Sequence, residues 1–295
     1  MIYLLIVSLV WAFSFGIIKG QLTGLDSNFV AFTRMCLSFI LFLPFIKFRR
    51  ISPQNIIVLV FLGMIQFGLM YVAYILAYQY LKAYQVALFT ILTPIYVTVI
   101  HDAIEQRFHI RFLIAAILAI LGAGIIVLSD ISWIEISIGF FLMQVSNIAF
   151  AFGQVYYRKL MKNLPDLTDA SAFVYLYFGA VLLTGIFSLI TTDFSSLVLT
   201  NMQILSLIYL GIVASGICFF LWNIGARKAN AGTLSVLNNL KIPLAILVSL
   251  LFFNESVDLL RLIIGGLLVL FAMTISENEW IKRIKKNAFL MRRHF

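Results

Sequence analysis

Ten long apolar runs dominate the sequence and limit what the chain can fold into. They lie at approximately residues 2–18, 29–46, 56–80, 86–100, 112–128, 136–157, 172–190, 204–224, 233–253 and 259–275. Most of them reach the roughly 17 to 25 residues that an α-helix needs to cross a bilayer. Of the 295 residues, 63% are hydrophobic and 11% are charged, whereas charged residues make up about 25% of a typical soluble domain. The sequence therefore predicts an integral membrane protein.

The same runs predict the fold class. A bilayer offers no hydrogen bonds, so a spanning segment must be a helix or part of a closed barrel, and continuous apolar runs lack the alternation of barrel strands. We expect an all-α integral membrane protein with ten transmembrane helices. The first run has no basic leading region and no small-residue cleavage pattern, so we expect it to be retained and not removed as a signal peptide.

The distribution of charge predicts the orientation. With ten spans, most of the 21 lysines and arginines fall in the linkers after spans two, four, six and eight and in the C-terminal tail. The positive-inside rule then places both termini in the cytoplasm, with the protein in the cytoplasmic (inner) membrane. This topology and the anionic inner leaflet account for the net charge of +9. Membrane lipid is therefore an expected partner, and nucleic acid is not.

The sequence lacks the residue patterns of an enzyme. Cys36 and Cys218 lie inside apolar runs without metal-ligand spacing, and the three histidines lie at or beyond the ends of runs. There is no glycine-rich phosphate loop, no Ser/His/Asp set and no pair of carboxylates within one run. We expect no cofactor, no metal site and no enzymatic activity.

An internal repeat divides the chain. It predicts a first five-helix repeat at residues 1–130, a second at 131–280 and a basic cytoplasmic tail at 281–295. The features that recur in the same order are AFSFG at 12–16 with AFAFG at 149–153, Pro94 with Pro243, Glu105 with Glu255, and RFLIAAIL from Arg111 with RLIIGGLL from Arg261.

Five helices per repeat is an odd number, so the second repeat enters the membrane in the opposite orientation to the first. Inverted repeats are typical of secondary transporters, which bind substrate near the membrane midplane where the repeats meet. Two equivalent halves that exchange conformations give outward-open and inward-open states of similar energy, as alternating access requires.

Several of these segments resemble a known family. The two five-helix halves, the segments LTPIYVTVIHDAIEQRF and KIPLAILVSLLFFNES, and the first-helix segment VWAFSFG resemble the EamA-type branch of the drug/metabolite transporter superfamily. The resemblance covers about residues 3–277 and implies a ten-helix carrier of amino acids, amines, carboxylates or other metabolites. It also implies a central cavity lined by helices 1, 3, 4, 6, 8 and 9. This chain has NNLKIP where the family usually has apolar residues before the proline, so the resemblance does not extend to the substrate class.

Prolines interrupt the fourth and ninth spans. Because proline lacks an N–H and crowds the carbonyl four residues back, Pro94 and Pro243 are expected to loosen the carbonyls of Thr90 and Asn239. They are interpreted as hinges or as simple kinks, and the glutamates beyond them as gates or as helix-end residues. The hinge or gate candidates are Pro94, Pro243, Glu105 and Glu255.

The segment LNNLKIP, residues 237–243, places two amides and an ammonium inside an apolar run. Lys241 and Asn238 lie three residues apart and can share one cavity wall, whereas Asn239 points elsewhere unless the helix is distorted. A lysine inside a span costs roughly 3 kcal/mol on insertion scales and is a functional candidate. Lys241 is interpreted as binding a substrate carboxylate, as carrying a proton, or as a structural residue that snorkels or bonds to loosened carbonyls.

Other polar and aromatic residues lie in the expected cavity helices. For the rings the alternative is core packing or an interfacial belt, and for the amides it is hydrogen bonding between helices. Arg34, near the outer end of the second span, is interpreted as a snorkelling or packing residue. The remaining substrate-binding candidates are Trp11, Ser14, Tyr74, Tyr78, Thr90, Thr93, Asn147, Trp222 and Asn223.

These observations predict a function. No Asp or Glu lies in the middle of a span, which favours an anionic substrate over a proton relay by a carboxylate. We expect a secondary transporter that moves a small polar metabolite (an amino acid, carboxylate or amine) by alternating access, as a monomer or homodimer. The alternatives are a lipid or lipid-linked sugar flippase, a membrane-embedded lipid-modifying enzyme and a channel.

Overall fold

The structure is a computed structural model that describes residues 2–47, 51–104, 106, 114, 118, 121, 125, 133–228, 242, 244–245, 248–252, 260, 263–268 and 271. All regular structure among these residues is helical. Seven of the described helices are long and apolar enough to cross a membrane, and they match predicted spans one to four and six to eight. The all-α class is confirmed for this part of the chain, and predicted spans five, nine and ten lie largely outside it.

The seven helices are named here in chain order. Four of them begin a few residues before their apolar runs, and polar residues cap these four: at each start a side-chain oxygen accepts the N–H of the residue three positions later. These caps are Asp26, Ser52, Thr168 and Thr200. The helices are α1 (Ile2–Leu22), α2 (Ser27–Phe45), α3 (Pro53–Ala77), α4 (Ala83–Ile104), α5 (Trp133–Lys162), α6 (Asp169–Thr191) and α7 (Asn201–Arg227).

Helix α4 changes its hydrogen-bond pattern just before Pro94. The α-helical part Ala83–Phe89 is followed by a 3-10 turn at Thr90–Leu92, after which the α-helix resumes. The predicted loosening of the Thr90 carbonyl is wrong, because the tighter turn lets the N–H of Thr93 donate to Thr90 O. The carbonyl of Phe89, at the start of this turn, also accepts from a side chain, Asn147 Nδ2 of α5, at 2.8 Å.

Helix α7 contains a π-helical segment, Tyr209–Ile217, and α3 contains a shorter one at Met64–Leu69. Segments of this kind are frequent at functional sites. Side chains of three other helices donate to carbonyls of the α7 segment, so α1, α2 and α6 are bonded to α7 inside the bundle. These hydrogen bonds are Trp11 Nε1 to Ala214 O (2.9 Å), Ser38 Oγ to Gly211 O (2.9 Å) and Tyr177 OH to Ser215 O (2.8 Å).

Helix α3 crosses α6 with the two backbones in close contact. A Cβ atom at Gly179 would lie 1.9 Å from Val60 O, and one at Gly63 would lie 1.9 Å from Leu176 O. Small residues at such crossings allow helices to approach closely in a membrane. Helix α3 also packs against α5, and α2 packs against α6 and α7. The close crossing with α6 therefore determines which side of α3 faces the centre of the bundle.

We expect Gly179→Ala to destabilise the purified protein, because the new methyl group would overlap a backbone carbonyl of α3 that cannot turn away. Overpacking of this kind typically costs about 1–3 kcal/mol. The apparent melting temperature in detergent, followed by size-exclusion chromatography, measures the effect. Gly266→Ala is the matched control, since a Cβ at this helical glycine meets no atom of the described residues within 4 Å. Equal melting temperatures for the two variants would contradict the close crossing.

Candidate functional site

A central cavity of about 560 Å³ lies between α1, α2, α3, α4, α5 and α7. Its walls combine aromatic and methionine side chains with hydroxyls, one amide and one guanidinium. The lining residues are Trp11, Ser14, Phe15, Arg34, Met70, Tyr71, Tyr74, Thr90, Thr93, Met143, Ser146, Asn147, Phe150 and Phe219.

The structure brings six of the predicted binding residues together in this lining and places three others elsewhere. Tyr78, Trp222 and Asn223 are buried but are not in the lining of the central cavity. Each lies about one helical turn beyond a lining residue, and Asn223 lines a second cavity that is described below. The six in the lining are Trp11, Ser14, Tyr74, Thr90, Thr93 and Asn147.

The remaining candidates lie outside the described residues or away from the lining. Pro94 is the second residue of the α-helix that follows the 3-10 turn in α4. The candidates outside the described residues are Asn238, Asn239, Lys241, Pro243, Glu105 and Glu255.

Arg34 lies in the cavity wall, and its snorkelling interpretation is wrong. The side chain is only 2% exposed. Its Nε donates to Ser215 Oγ at 3.1 Å and its Nη2 donates to Tyr71 OH at 3.0 Å. Ser215 Oγ and Tyr71 OH are themselves 2.7 Å apart, and the guanidinium carbon lies 4.7 Å from the centroid of the Tyr71 ring. Its position as a cation inside a predicted span could have identified Arg34 as a functional candidate, just as it did for Lys241.

Two tyrosines extend the wall of the cavity toward the C-terminal end of α3. Tyr74 lines the cavity, and its hydroxyl lies 2.8 Å from that of Tyr78, one turn further along the helix. Lys19, at the end of α1, donates to the backbone oxygen of Tyr78 at 2.7 Å. These contacts join the ends of α1 and α3 and cover this side of the cavity.

A group of aromatic rings forms the opposite end of the cavity. The ring of Trp11 lies 4.9 Å from that of Phe219 and 5.1 Å from that of Trp222, measured between centroids. Phe150 contacts Phe219 edge-on at 5.5 Å. Because the Trp11 indole N–H is bonded to α7, its ring is held in place and offers a flat apolar face to a bound molecule.

Asn147 joins α5 to α4 beside the cavity. Its Nδ2 donates to Phe89 O and, at 3.2 Å, to Gln144 Oε1, while its Oδ1 accepts from Thr93 Oγ1 at 3.1 Å. Tyr96 OH also donates to Gln144 Oε1, at 3.1 Å. The Asn147 amide therefore lines the cavity and also forms hydrogen bonds between helices, so its position agrees with both of the interpretations made from the sequence.

A second cavity, of about 1120 Å³, lies between the C-terminal parts of α4, α5 and α7. Basic side chains line it, and Arg227 forms an ion pair with Asp169, which also accepts a hydrogen bond from Tyr157 OH at 2.6 Å. The lining therefore has a positive potential. The ionisable lining residues other than Tyr157 are His101, Arg158, Lys159, Lys162 and Arg227.

The linings of the two cavities lie on adjacent turns of three helices. On α4, α5 and α7 the lining positions of the second cavity follow those of the first by four residues, or about 6 Å along a helix. The pairs are Thr93 and Val97, Phe150 and Gln154, and Phe219 and Asn223.

A hydrogen bond from Gln66 Nε2 to Asn223 Oδ1, 3.3 Å long, joins α3 and α7 at this level. Gln66 fits there because α5 has a glycine opposite it: a Cβ at Gly153 would lie 2.2 Å from Gln66 Cβ. We call Gln66, Phe150, Phe219 and Asn223 the partition.

A cavity with polar groups between apolar spanning helices is typical of small-molecule transporters. Comparison with known proteins agrees with this class. The model of the EamA-like transporter family matches the chain twice, at residues 1–128 and 137–276. The chain belongs to the EamA-like transporter family.

The relatives of the chain carry more specific names. A probable biotin transporter of Pseudomonas aeruginosa is 37% identical over 96% of this chain and 97% of its own length. Biotin transporters of Salmonella typhimurium and Escherichia coli K12 are each 36% identical over 95% of this chain and 94% of their own lengths. The chain is therefore a small-metabolite transporter of the inner membrane and not an enzyme.

A solved crystal structure shows the shared fold. It is 14% identical in sequence and superposes with a TM-score of 0.67, covering 93% of this chain and 95% of its own.

We expect Asn147→Leu to lower the stability of the protein, because the buried carbonyl of Phe89 would lose its side-chain donor. Loss of one intramolecular hydrogen bond typically costs about 0.5–1.5 kcal/mol. Thermal unfolding in detergent measures this, with Ser14→Ala as the control, since the Ser14 hydroxyl donates to Val10 O in its own helix. If both variants unfold at the wild-type temperature, Asn147 does not hold α4 to α5.

Proposed function

We propose that this chain is a secondary transporter that carries biotin, or a closely similar small carboxylate, across the inner membrane by alternating access. Relatives named biotin transporters, 36–37% identical over nearly the whole chain, support this substrate more specifically than the amino acids or amines that the sequence allowed. The central cavity is the observation in the structure that carries the proposal, because polar and aromatic side chains of six helices surround one space inside the bundle.

The chemistry of the cavity suits biotin. Pockets for small molecules typically combine apolar walls with a few polar groups, and this cavity has linings of both kinds. Biotin has a compact bicyclic ring system with a polar ureido group at one end and an alkyl chain with a carboxylate at the other. The rings of Trp11, Phe150 and Phe219 provide apolar surface, and Thr93 and Asn147 provide hydroxyl and amide groups.

We further propose that the fold is a pair of inverted five-helix repeats, at residues 1–130 and 131–280, with both termini in the cytoplasm. Two successive matches to one family model support the repeats. In this orientation the basic lining of the second cavity lies on the cytoplasmic side, in agreement with the positive-inside rule.

The two cavities suggest how access alternates. In the proposed mechanism the central cavity holds the substrate, the partition closes it from the cytoplasm, and the basic second cavity receives the anion once the partition opens. Opening requires loss of the Gln66–Asn223 hydrogen bond and separation of the Phe150 and Phe219 rings. All of these groups are neutral, so their separation does not break an ion pair. Pro94 and Pro243 remain proposed hinges, and Glu105 and Glu255 proposed gates.

The direct test is uptake of radiolabelled biotin by proteoliposomes that contain the purified chain. We expect saturable uptake that unlabelled biotin inhibits, and loss of most uptake in Ser146→Trp, because the indole would fill the central cavity. Leu189→Trp adds the same side chain at a position that is 75% exposed on α6, and it should transport normally. Absence of saturable biotin uptake by the folded wild-type protein would refute the proposed substrate.

The partition predicts which positions can be reached from each side. In a background with Cys36 and Cys218 replaced by serine, we expect an impermeant maleimide applied from the cytoplasm to label Val97→Cys but not Ser146→Cys. Adding Asn223→Ala should allow cytoplasmic labelling of Ser146→Cys, because the hydrogen bond that closes the partition is lost. Saturating biotin should change the labelling rates. Equal labelling of both positions from both sides, with or without biotin, would indicate a continuous pore and contradict alternating access.

A further inference from the structure

Arg34 is a buried cation that has no counter-charge among the described residues. It lies seven residues after the start of α2 at Ser27, or about 10 Å along the helix, and is 2% exposed. The side chains that accept its hydrogen bonds, Ser215 and Tyr71, carry neutral hydroxyls. Asp26, the acidic residue nearest in sequence, caps the start of α2 and accepts from Phe29 N and Thr192 Oγ1.

The guanidinium is also short of acceptors. It carries five N–H donors and keeps its positive charge at any pH that the protein meets. Nε and Nη2 are bonded, whereas Nη1 is buried without a hydrogen-bond partner in the described part of the chain. A buried charge without a partner is unfavourable, and inside a membrane it marks a functional site by default. Arg34 lines the central cavity, so the missing acceptor and the missing charge can both come from a molecule in that cavity.

We infer that Arg34 binds the carboxylate of the transported substrate, with Tyr71 and Ser215 as the residues that position the guanidinium. This inference rests on the proposed function, since it assigns a binding residue for that substrate. Two neutral hydroxyls hold Nε and Nη2 without neutralising the charge, and Nη1 has no acceptor among the described residues. A carboxylate supplies a full negative charge and strong acceptors, and charge-assisted bonds to arginine are among the strongest hydrogen bonds in proteins.

The position of Arg34 fixes the orientation of the substrate. With the carboxylate at α2, the alkyl chain passes Tyr74 and Phe15, whose rings contact each other at 6.3 Å. The ring system then lies toward Thr93 and Asn147, on the α4 and α5 side of the cavity. Substrates that lack the carboxylate leave the guanidinium unpaired, so Arg34 selects for anions.

The experiment compares biotin with its neutral carboxamide, using equilibrium binding to the wild-type protein and to variants in nanodiscs. We expect the wild type to bind the carboxamide roughly 10- to 100-fold more weakly than biotin, the range given by a hydrogen bond to a charged group. Arg34→Gln should bind both molecules equally, at about the wild-type affinity for the carboxamide. Lys47→Gln, which removes an exposed cation outside the cavity, should keep the wild-type discrimination.

Arg34→Lys provides a second variant that retains the charge. It should keep part of the discrimination but bind biotin more weakly, because an ammonium cannot reproduce the fixed fork of a guanidinium. If the wild type does not discriminate, or if Arg34→Gln still prefers biotin, the inference is wrong while the proposed function stands. Discrimination that survives in Arg34→Gln but disappears in Lys241→Gln would assign the carboxylate to Lys241. If the wild type binds and transports no biotin, the proposed function fails, and the inference fails with it.

Discussion

The hydrogen bonds that side chains donate to the π-helical segment of α7 are the contacts on which the rest of the structure depends. Inside a bilayer a backbone carbonyl that leaves the regular helical pattern must find a donor within the protein. Trp11, Ser38 and Tyr177 supply such donors from α1, α2 and α6. The distortion therefore brings three helices to one level of α7, and the central cavity lies beside that level.

The same distortion explains the position of Arg34. Ser215 lies within the π-helical segment, and its hydroxyl lies 2.7 Å from Leu210 O, five residues back, as well as close to Tyr71 OH. Since Ser215 also accepts from Arg34 Nε, the guanidinium is held by a residue whose own orientation is set by the helix distortion. A regular helix would place that hydroxyl differently. The position of Arg34 in the site therefore depends on the π-helical segment of α7 and not on a sequence motif.

The sequence predicted the parts of the structure that depend on hydrophobicity, and it missed those that depend on local backbone geometry. Apolar runs are long enough to specify spanning helices, and polar caps such as Asp26 and Thr200 shift their ends by only a few residues. Nothing in the residues of α7 predicted a π-helical segment, so the pairing of Ser215 with Arg34 could not be foreseen. Arg34 was placed near the outer surface from its distance to the end of an apolar run, without the knowledge that α6 and α7 cover α2. Depth along one helix does not reveal lateral burial, which is a property of the bundle.

Helices α3 and α7 connect the proposed carboxylate site with the partition. On α7, Ser215, Phe219 and Asn223 follow one another at intervals of about one turn. On α3, Gln66 lies within the π-helical stretch Met64–Leu69, and Tyr71 lies two residues after it. Arg34 is bonded to Tyr71 and Ser215, while Gln66 is bonded to Asn223. A movement of α7 relative to α2 and α3 therefore changes both the surroundings of Arg34 and the contacts within the partition.

In the proposed mechanism a bound carboxylate neutralises Arg34. The substrate therefore changes the energy of the contacts that Arg34 makes between α2, α3 and α7, and opening of the partition must rearrange these contacts. An anion in the cavity favours opening only if it binds more tightly when the partition is open than when it is closed. Such a difference has a structural basis, because α3 and α7 contribute residues both to the Arg34 site and to the partition.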